Sequence, residues 1–168
     1  MIIEALPKHA GAIASIYNHY IQHTTITFET ESVGAEDIAC RMQDFAKAEL
    51  PWLVAIENEQ VIGYAYASKW KGRCAYQYSV EATVYLSPSF ISKGWGTKLY
   101  QNLLSQLRTK NLHAVICGIA LPNETSVALH EKLGMEKVAH FKQVGRKFDQ
   151  WIDVGYWQLL LNHEDEML

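Results

Sequence analysis

The sequence predicts a single α/β or α+β domain built on a mixed sheet, and three observations carry that reading. Candidate elements follow one another as β-α-α-β-β-β-α-β-α-β-β, an order that gives a sheet with helices packed on it. The apolar period changes from helical to extended near Pro51 and back to helical after Gly94 and Gly96. No repeat, linker or low-complexity stretch interrupts the chain between Ile2 and Leu161. With 168 residues, 49% of them hydrophobic and 20% charged, the chain is long enough for one core and too apolar for disorder. We therefore expect one domain over residues 1–161 and a loose tail over residues 162–168.

Each element has a local reason. Ile2–Ala5 is a short strand, and after Pro7 the positions Ala10, Ile13, Ile16, Tyr17, Tyr20 and Ile21 recur at helical spacing, so residues 8–22 read as an amphipathic helix. A second helix over Gly34–Ala48 places Ile38, Met42 and Phe45 three to four residues apart and stops before Pro51. Trp52–Ile56 and Val61–Ser68 are apolar runs joined by Glu57-Asn58-Glu59-Gln60, and Tyr76–Leu86 continues them as a third extended run ending before Pro88. Leu99, Tyr100, Leu103, Leu104 and Leu107 then form one face of a helix. Leu112–Ala120 reads as a buried strand, Glu124–Leu133 as a short helix stopped by Gly134, and Val138–Val144 and Ile152–Leu161 as two closing strands.

Fifteen Lys and Arg against eighteen Asp and Glu leave a formal net charge of −3. That provides no electrostatic excess for holding a phosphate backbone or an anionic membrane surface, so neither nucleic acid nor membrane is expected as a partner. Cys40, Cys74 and Cys117 are odd in number and widely spaced, which suits neither a disulfide framework nor a zinc site. His19 and His23 stand four apart, but no carboxylate motif accompanies them, and we expect no metal. The N-terminal stretch lacks a basic region followed by an apolar one, and no window offers about 18 uninterrupted apolar residues. These features lead us to expect a cytoplasmic protein.

Chemistry concentrates between Thr83 and Tyr100, where a strand, a turn containing Gly94-Trp95-Gly96 and an amphipathic helix follow in order. Such a turn can aim consecutive backbone N–H groups at an anion, and the helix N-terminus adds unsatisfied donors and a favourable dipole. Two glycines alone fit a tight loop equally well. A dinucleotide fingerprint needs a third glycine where Leu99 stands, and a nucleotide P-loop needs Gly-Lys-Ser/Thr where Thr97 precedes Lys98. Neither motif is present.

Followed by Asn123-x-x-Ser126-x-Ala128-x-x-x-x-Leu133-Gly134, this unit resembles the acetyl-CoA-binding core of the GNAT superfamily of N-acetyltransferases. Tyr17-Asn18-His19-Tyr20, Thr27-Phe28-Glu29-Thr30, Val80-Glu81-Ala82-Thr83-Val84-Tyr85, Leu129-His130-Glu131-Lys132-Leu133-Gly134 and Asp153-Val154-Gly155-Tyr156-Trp157-Gln158 narrow the resemblance. Together they are similar to the phosphinothricin and methionine sulfoximine N-acetyltransferase family, over nearly the whole chain. The resemblance implies a mixed, mostly antiparallel central sheet flanked by helices. It also implies acetyl-CoA as co-substrate, a small amino acid as acceptor, a role in detoxification and a homodimer, for whose pairing the apolar strand Tyr156–Leu161 is suited. One position departs from the superfamily pattern: Ile91 stands where the pyrophosphate turn usually begins with Gln or Arg. Its backbone donor remains, so the expectation is weaker cofactor binding and not a different cofactor.

The same resemblance assigns the site. Val84, Tyr85, Leu86, Ser92, Lys93, Gly94, Trp95, Gly96, Thr97 and Asn123 would bind the cofactor. Phe28, Lys71, Gly72, Arg73, Glu81, Ala82 and Thr83 would bind the amino acid, with Arg73 gripping its carboxylate and Trp70 and Tyr76 walling the pocket. Glu81 would remove a proton from the ammonium, which must become a free amine before it attacks a thioester. The N–H of Val84 or Tyr85 would polarise the thioester carbonyl, and His130 would assist the departing thiolate. No cysteine sits beside a base, so transfer is expected to be direct, within a ternary complex. Two other readings belong to different classes. A silent acyl-CoA sensor would not need Glu81, and an enzyme that acetylates protein N-termini or lysines would need an open peptide groove.

Overall fold

The computed structural model describes residues 1–161, and the tail expected at residues 162–168 lies outside the described residues. Seven strands form one sheet in the order β1-β2-β3-β4-β5-β7-β6. They are β1 (Ile2–Glu4), β2 (Trp52–Glu57), β3 (Gln60–Lys69), β4 (Ser79–Leu86), β5 (Ala114–Leu121), β6 (Glu136–Lys147) and β7 (Gln150–Leu160). Four helices accompany them: α1 (Ala10–His23), α2 (Ala35–Lys47), α3 (Trp95–Arg108) and α4 (Glu124–Lys132). All neighbouring strands run antiparallel except β4 and β5. The order of elements and the mixed sheet agree with the sequence reading.

Alternation along the strands sorts the core into two layers. On one face Ala65 and Ala67 of β3, Val80 and Ala82 of β4 and Val115, Cys117 and Ile119 of β5 meet Leu99, Tyr100, Leu103 and Leu107 of α3. On the other, Val54 of β2 and Tyr64 of β3 meet Ile13, Ile16 and Tyr20 of α1 and Ile38 and Met42 of α2. Trp52, Tyr64 and Tyr66 stack side by side beneath those helices. Local chemistry marks the helix ends: Gly34 N–H donates to the Asp37 carboxylate before α2, and Asn123 Oδ1 accepts the Ser126 N–H at the start of α4.

Three boundaries and one pairing differ from the sequence expectation. The run expected as a strand from Tyr76 begins at Ser79, because a 3₁₀ turn over Cys74–Tyr76 closes through Tyr76 N–H to Arg73 C=O and Gln77 N–H to Cys74 C=O. The strand expected from Leu112 begins at Ala114, and Leu112 packs in the core. The first closing strand is longer, Glu136–Lys147, and carries an irregularity between Phe141 and Gly145. It joins β7 through Phe148 and Asp149, both at positive φ, the backbone of a two-residue hairpin turn. Finally, the Tyr156–Leu161 strand expected to pair with a second copy lies inside the sheet, bonded to β5 as far as Leu160 and also to β6 from Tyr156 to Gln158, and the free edges belong to β1 and β6.

Candidate active site

The parallel pair β4 and β5 is the source of the site. Its register runs Ser79↔Ala114, Val80↔Val115 and Glu81↔Ile116 and then stops. Beyond Glu81 the strands part, while β4 stays paired to β3 as far as Leu86 and β5 to β7 as far as Leu121. Parallel strands need a crossover, here α3, and the chain leaves β5 through Pro122 and Asn123 to start α4 beside the opening.

A cavity of about 440 Å³ occupies this opening. Of the residues assigned to the cofactor, Val84, Tyr85 and Leu86 of β4, Ser92, Gly94, Gly96 and Thr97 of the turn and α3, and Asn123 line it. Lys93 and Trp95 do not: the Lys93 ammonium lies over the Phe90 ring, and Trp95 packs against the core with Lys98 on its ring. Ile91 also lines the cavity, apolar where a side-chain donor was the usual pattern. Gly94 has φ +81°, and a Cβ there would meet nothing within 4 Å. The glycine is therefore required by backbone conformation and not by crowding against the protein. At Gly96 the reason is space, since a Cβ would stand 3.1 Å from Leu129 of α4.

Sequence reasoning missed several walls of this cavity. Tyr20 and Ile26 come from the far side of the sheet, and Thr125, Ser126, Ala128, Leu129 and Lys132 come from α4. The small residues after Asn123 were the available signal for α4, whereas nothing local in the sequence announces that α1 and the loop after it reach the opening. Tyr20 donates its hydroxyl to the Leu86 carbonyl at the end of β4.

Glu81 is the last residue of β4 paired to β5, on the α1 and α2 face. Its carboxylate borders Gly118 of β5 and Tyr156 of β7, because a Cβ at Gly118 would lie 3.5 Å from Glu81 Oε1 and 3.2 Å from the Tyr156 ring. Burial pushes the Glu81 carboxyl above the usual carboxylate range. Thr83, two residues on, hydrogen-bonds Tyr66, while Ala82 points into the core on the opposite face. An aromatic wall of Trp70, Tyr156 and Phe141 stands beside Glu81, in edge contacts of 5.6 and 5.7 Å.

Lys71, Gly72 and Arg73 occupy the exposed connection between β3 and β4. The Lys71 ammonium lies 5.3 Å from the Trp70 ring, and no ion pair among the described residues uses Arg73. Phe28, 41% exposed, packs its ring over Gly145 of β6.

His130 lies in α4 but not on the cavity wall, and is 3% exposed. Its Nδ1–H donates to the Ser126 carbonyl at 2.7 Å, so Nε2 accepts the Tyr100 hydroxyl at 2.9 Å. Burial pushes its pKa down and holds the ring neutral. The ring that the sequence reading brings to the departing thiolate thus has both nitrogens engaged, and its partner Ser126 lines the cavity. Cys117, behind the Tyr100 hydroxyl, is a buried thiol pushed up to about 12 by desolvation, while Cys40 and Cys74 are exposed. Among the described residues no three His, Cys, Asp or Glu side chains gather as metal ligands, and no helix is long and apolar enough to cross a membrane.

Residues 13–135 match the model of the acetyltransferase (GNAT) family. The chain is 41% identical to a phosphinothricin N-acetyltransferase of Streptomyces viridochromogenes over 162 residues, covering 93% of this chain and 86% of that protein. It is 34% identical to an L-methionine sulfoximine/L-methionine sulfone acetyltransferase of Salmonella typhimurium, covering 90% and 89%. Its fold superposes with a TM-score of 0.93 on a phosphinothricin acetyltransferase from Sinorhizobium meliloti solved in complex with acetyl-CoA, at 30% identity and covering 96% and 88% of the two chains.

Proposed function

Because the chain belongs to the acetyltransferase (GNAT) family, we propose that it transfers the acetyl group of acetyl-CoA to the α-amino group of a small glutamate- or methionine-like amino acid. Phosphinothricin, methionine sulfoximine and methionine sulfone are the acceptors that the names of its relatives suggest. The observation that carries the proposal is the opening between β4 and β5 beyond Glu81. On one side of it lies a cavity bounded by the Gly94–Gly96 turn, and at the point where the strands part stands a half-buried carboxylate with a raised pKa.

In this reading the pyrophosphate rests on the backbone donors of residues 92–97 at the start of α3, and the pantetheine arm follows β4 through the opening. Glu81 takes a proton from the ammonium, and the nitrogen attacks the thioester carbon, whose oxygen is polarised by the N–H of Val84 or Tyr85. The carbon–sulfur bond then breaks to release the thiolate. A raised pKa suits a base that works near neutrality. The guanidinium of Arg73, which no ion pair among the described residues uses, offers a bidentate contact to the acceptor carboxylate. A neutral Nδ1–H imidazole is not an acid at neutral pH, so His130 acts by holding Ser126 and Tyr100 in place behind the opening. The inert buried Cys117 supports direct transfer over an acyl-enzyme.

We further propose a homodimer formed through the β6–β7 hairpin, where Val138, Phe141, Val144, Phe148 and Trp151 are each exposed. The function is tested by incubating the protein with acetyl-CoA and a panel of free amino acids, the three analogues and short peptides, following thiol release. Turnover is expected with the free amino-acid analogues.

A further inference from the structure

The loop of residues 24–33 joins α1 to α2 and borders the opening in the sheet. Ile26 lines the cavity, and the Thr27 hydroxyl contacts the hydroxyls of Tyr17, at 2.8 Å, and Tyr85. Its far end is closed by Asn18, which donates to the Val33 carbonyl and accepts the Val33 N–H at 2.9 and 2.8 Å. Those contacts all stay within the β1–β4 half of the protein. Two others cross to the opposite half. Lys147 of β6 donates from its ammonium to the Thr27 carbonyl at 2.8 Å, and the Phe28 ring lies on Gly145, where an added Cβ would overlap it.

The way β6 delivers these two residues is specific. Up to Phe141 the strand is mostly exposed; then residues 142–144 stand opposite Asp153 alone, since Phe141 pairs with Val154 and Gly145 with Ile152. The Asp153 carboxylate holds this bulge, accepting the Gln143 N–H at 2.8 Å and pairing with His140 Nε2 at 2.7 Å. After the bulge Gly145 and Lys147 turn inward and Arg146 outward. Lys147 is 4% exposed, and among the described residues no carboxylate pairs with it. A buried ammonium without a counter-ion is costly, and the Thr27 carbonyl is what this one is spent on. Burial accordingly lowers the Lys147 pKa.

We infer that Lys147 is a positioning residue for the acceptor site: with Gly145 it latches the Thr27–Phe28 segment across the split sheet and sets where Phe28 stands when an amino acid binds. The inference rests on the proposed function and on the resemblance's assignment of Phe28 to binding the amino acid. Lys147 touches neither cofactor nor the reacting atoms in this account, so its removal moves acceptor binding and leaves the cofactor half alone.

The test uses the full chain with methionine sulfone as the acceptor probe and acetyl-CoA as donor. Lys147→Met, which keeps length and loses the charge, is expected to raise the KM for methionine sulfone about tenfold to a hundredfold, with kcat changed less and calorimetric CoA affinity unchanged. Lys147→Arg restores part of the loss. Should Lys147→Met fail to fold, Gly145→Ala carries the same test, because it displaces Phe28 while leaving the ammonium in place. A wild-type acceptor KM in Lys147→Met or Gly145→Ala, alongside a raised one in Phe28→Ala, overturns the latch and leaves the acceptor reading standing. A change confined to CoA affinity also overturns it. An acceptor KM unchanged in Phe28→Ala, or no turnover of methionine sulfone by the wild type, overturns the acceptor reading and this inference with it.

Discussion

At the scale of single residues, Glu81 and Gly94 show two different ways in which a sequence position is constrained. Glu81 is a carboxylate whose folded pKa is raised by burial. A base must be unprotonated to act, so the acidic limb of kcat/KM is expected above the ordinary glutamate value of about 4.3, and activity rises as pH passes through it. For stability the sign is opposite: the fold binds this proton more tightly than the unfolded chain, so the contribution is present at low pH and lost as pH rises through the folded pKa. Glu81→Gln should lower kcat near neutrality by about a hundredfold or more, remove the acidic limb and regain activity at high pH, where solvent deprotonates the amine. Gly94 is constrained by φ +81° alone. Gly94→Ala is expected to lose about 1–2 kcal/mol in holding the turn, read as weaker CoA binding in calorimetry. Glu81 and the glycines were legible because each sits in a local motif. Lys147 was not, because its partner Thr27 is 120 residues away and a lysine in a strand ordinarily signals solvent.

Among the elements, α4 and β6 carry more than their sequence patterns announced. The spacing after Asn123 identified α4 but gave no hint that His130 faces inward onto Tyr100. His130→Ala removes the acceptor of a buried phenol and should cost about 1–3 kcal/mol, seen as a lower denaturation midpoint, with CoA affinity affected less than stability. In β6 the run Val138–Val144 read as a plain strand. The bulge escaped notice because it depends on Asp153 arriving from β7 to satisfy the Gln143 N–H. That carboxyl is held below its usual range, first by the hydrogen bond from His140 and then by that of Gln143. Its stabilising contribution is therefore present above the unfolded aspartate pKa and is lost as pH falls through the folded one. Asp153→Asn should flatten the acid side of a stability-against-pH curve, a difference visible by comparing denaturation midpoints of the two proteins at pH 6 and pH 3, roughly the aspartate window. The strand expected from Tyr76 was displaced for a comparable reason, since the 3₁₀ turn at Cys74–Tyr76 competes locally with extension.

For the whole molecule, one sheet is continuous at one end and open at the other, and the proposed function puts cofactor and acceptor on its two sides. The residues that build the opening come from both halves of the chain; the order of elements in the sequence implied a mixed sheet but not which one pair of strands would run parallel. Which strands would be edges was not legible, because β7 follows β6 in the chain yet lies inside it in the sheet. The exposed apolar residues of the outer hairpin, with Trp151 at 60% exposure, lead to an expectation about assembly. Trp151→Asp should shift the sedimenting species from dimer toward monomer, whereas a wild-type chain that sediments as a monomer would remove the homodimer proposal. Substrate choice is the central claim, and the carboxylate is what separates a free amino acid from a peptide. The most direct measurement compares kcat/KM for methionine sulfone with that for its C-terminal amide and for a tripeptide beginning with the same residue, all with acetyl-CoA. The account predicts acetylation of the free amino acid on its α-nitrogen, preferred over the amide by about tenfold or more for the loss of a charge-assisted contact. Equal or better turnover of the amide and the tripeptide would contradict it.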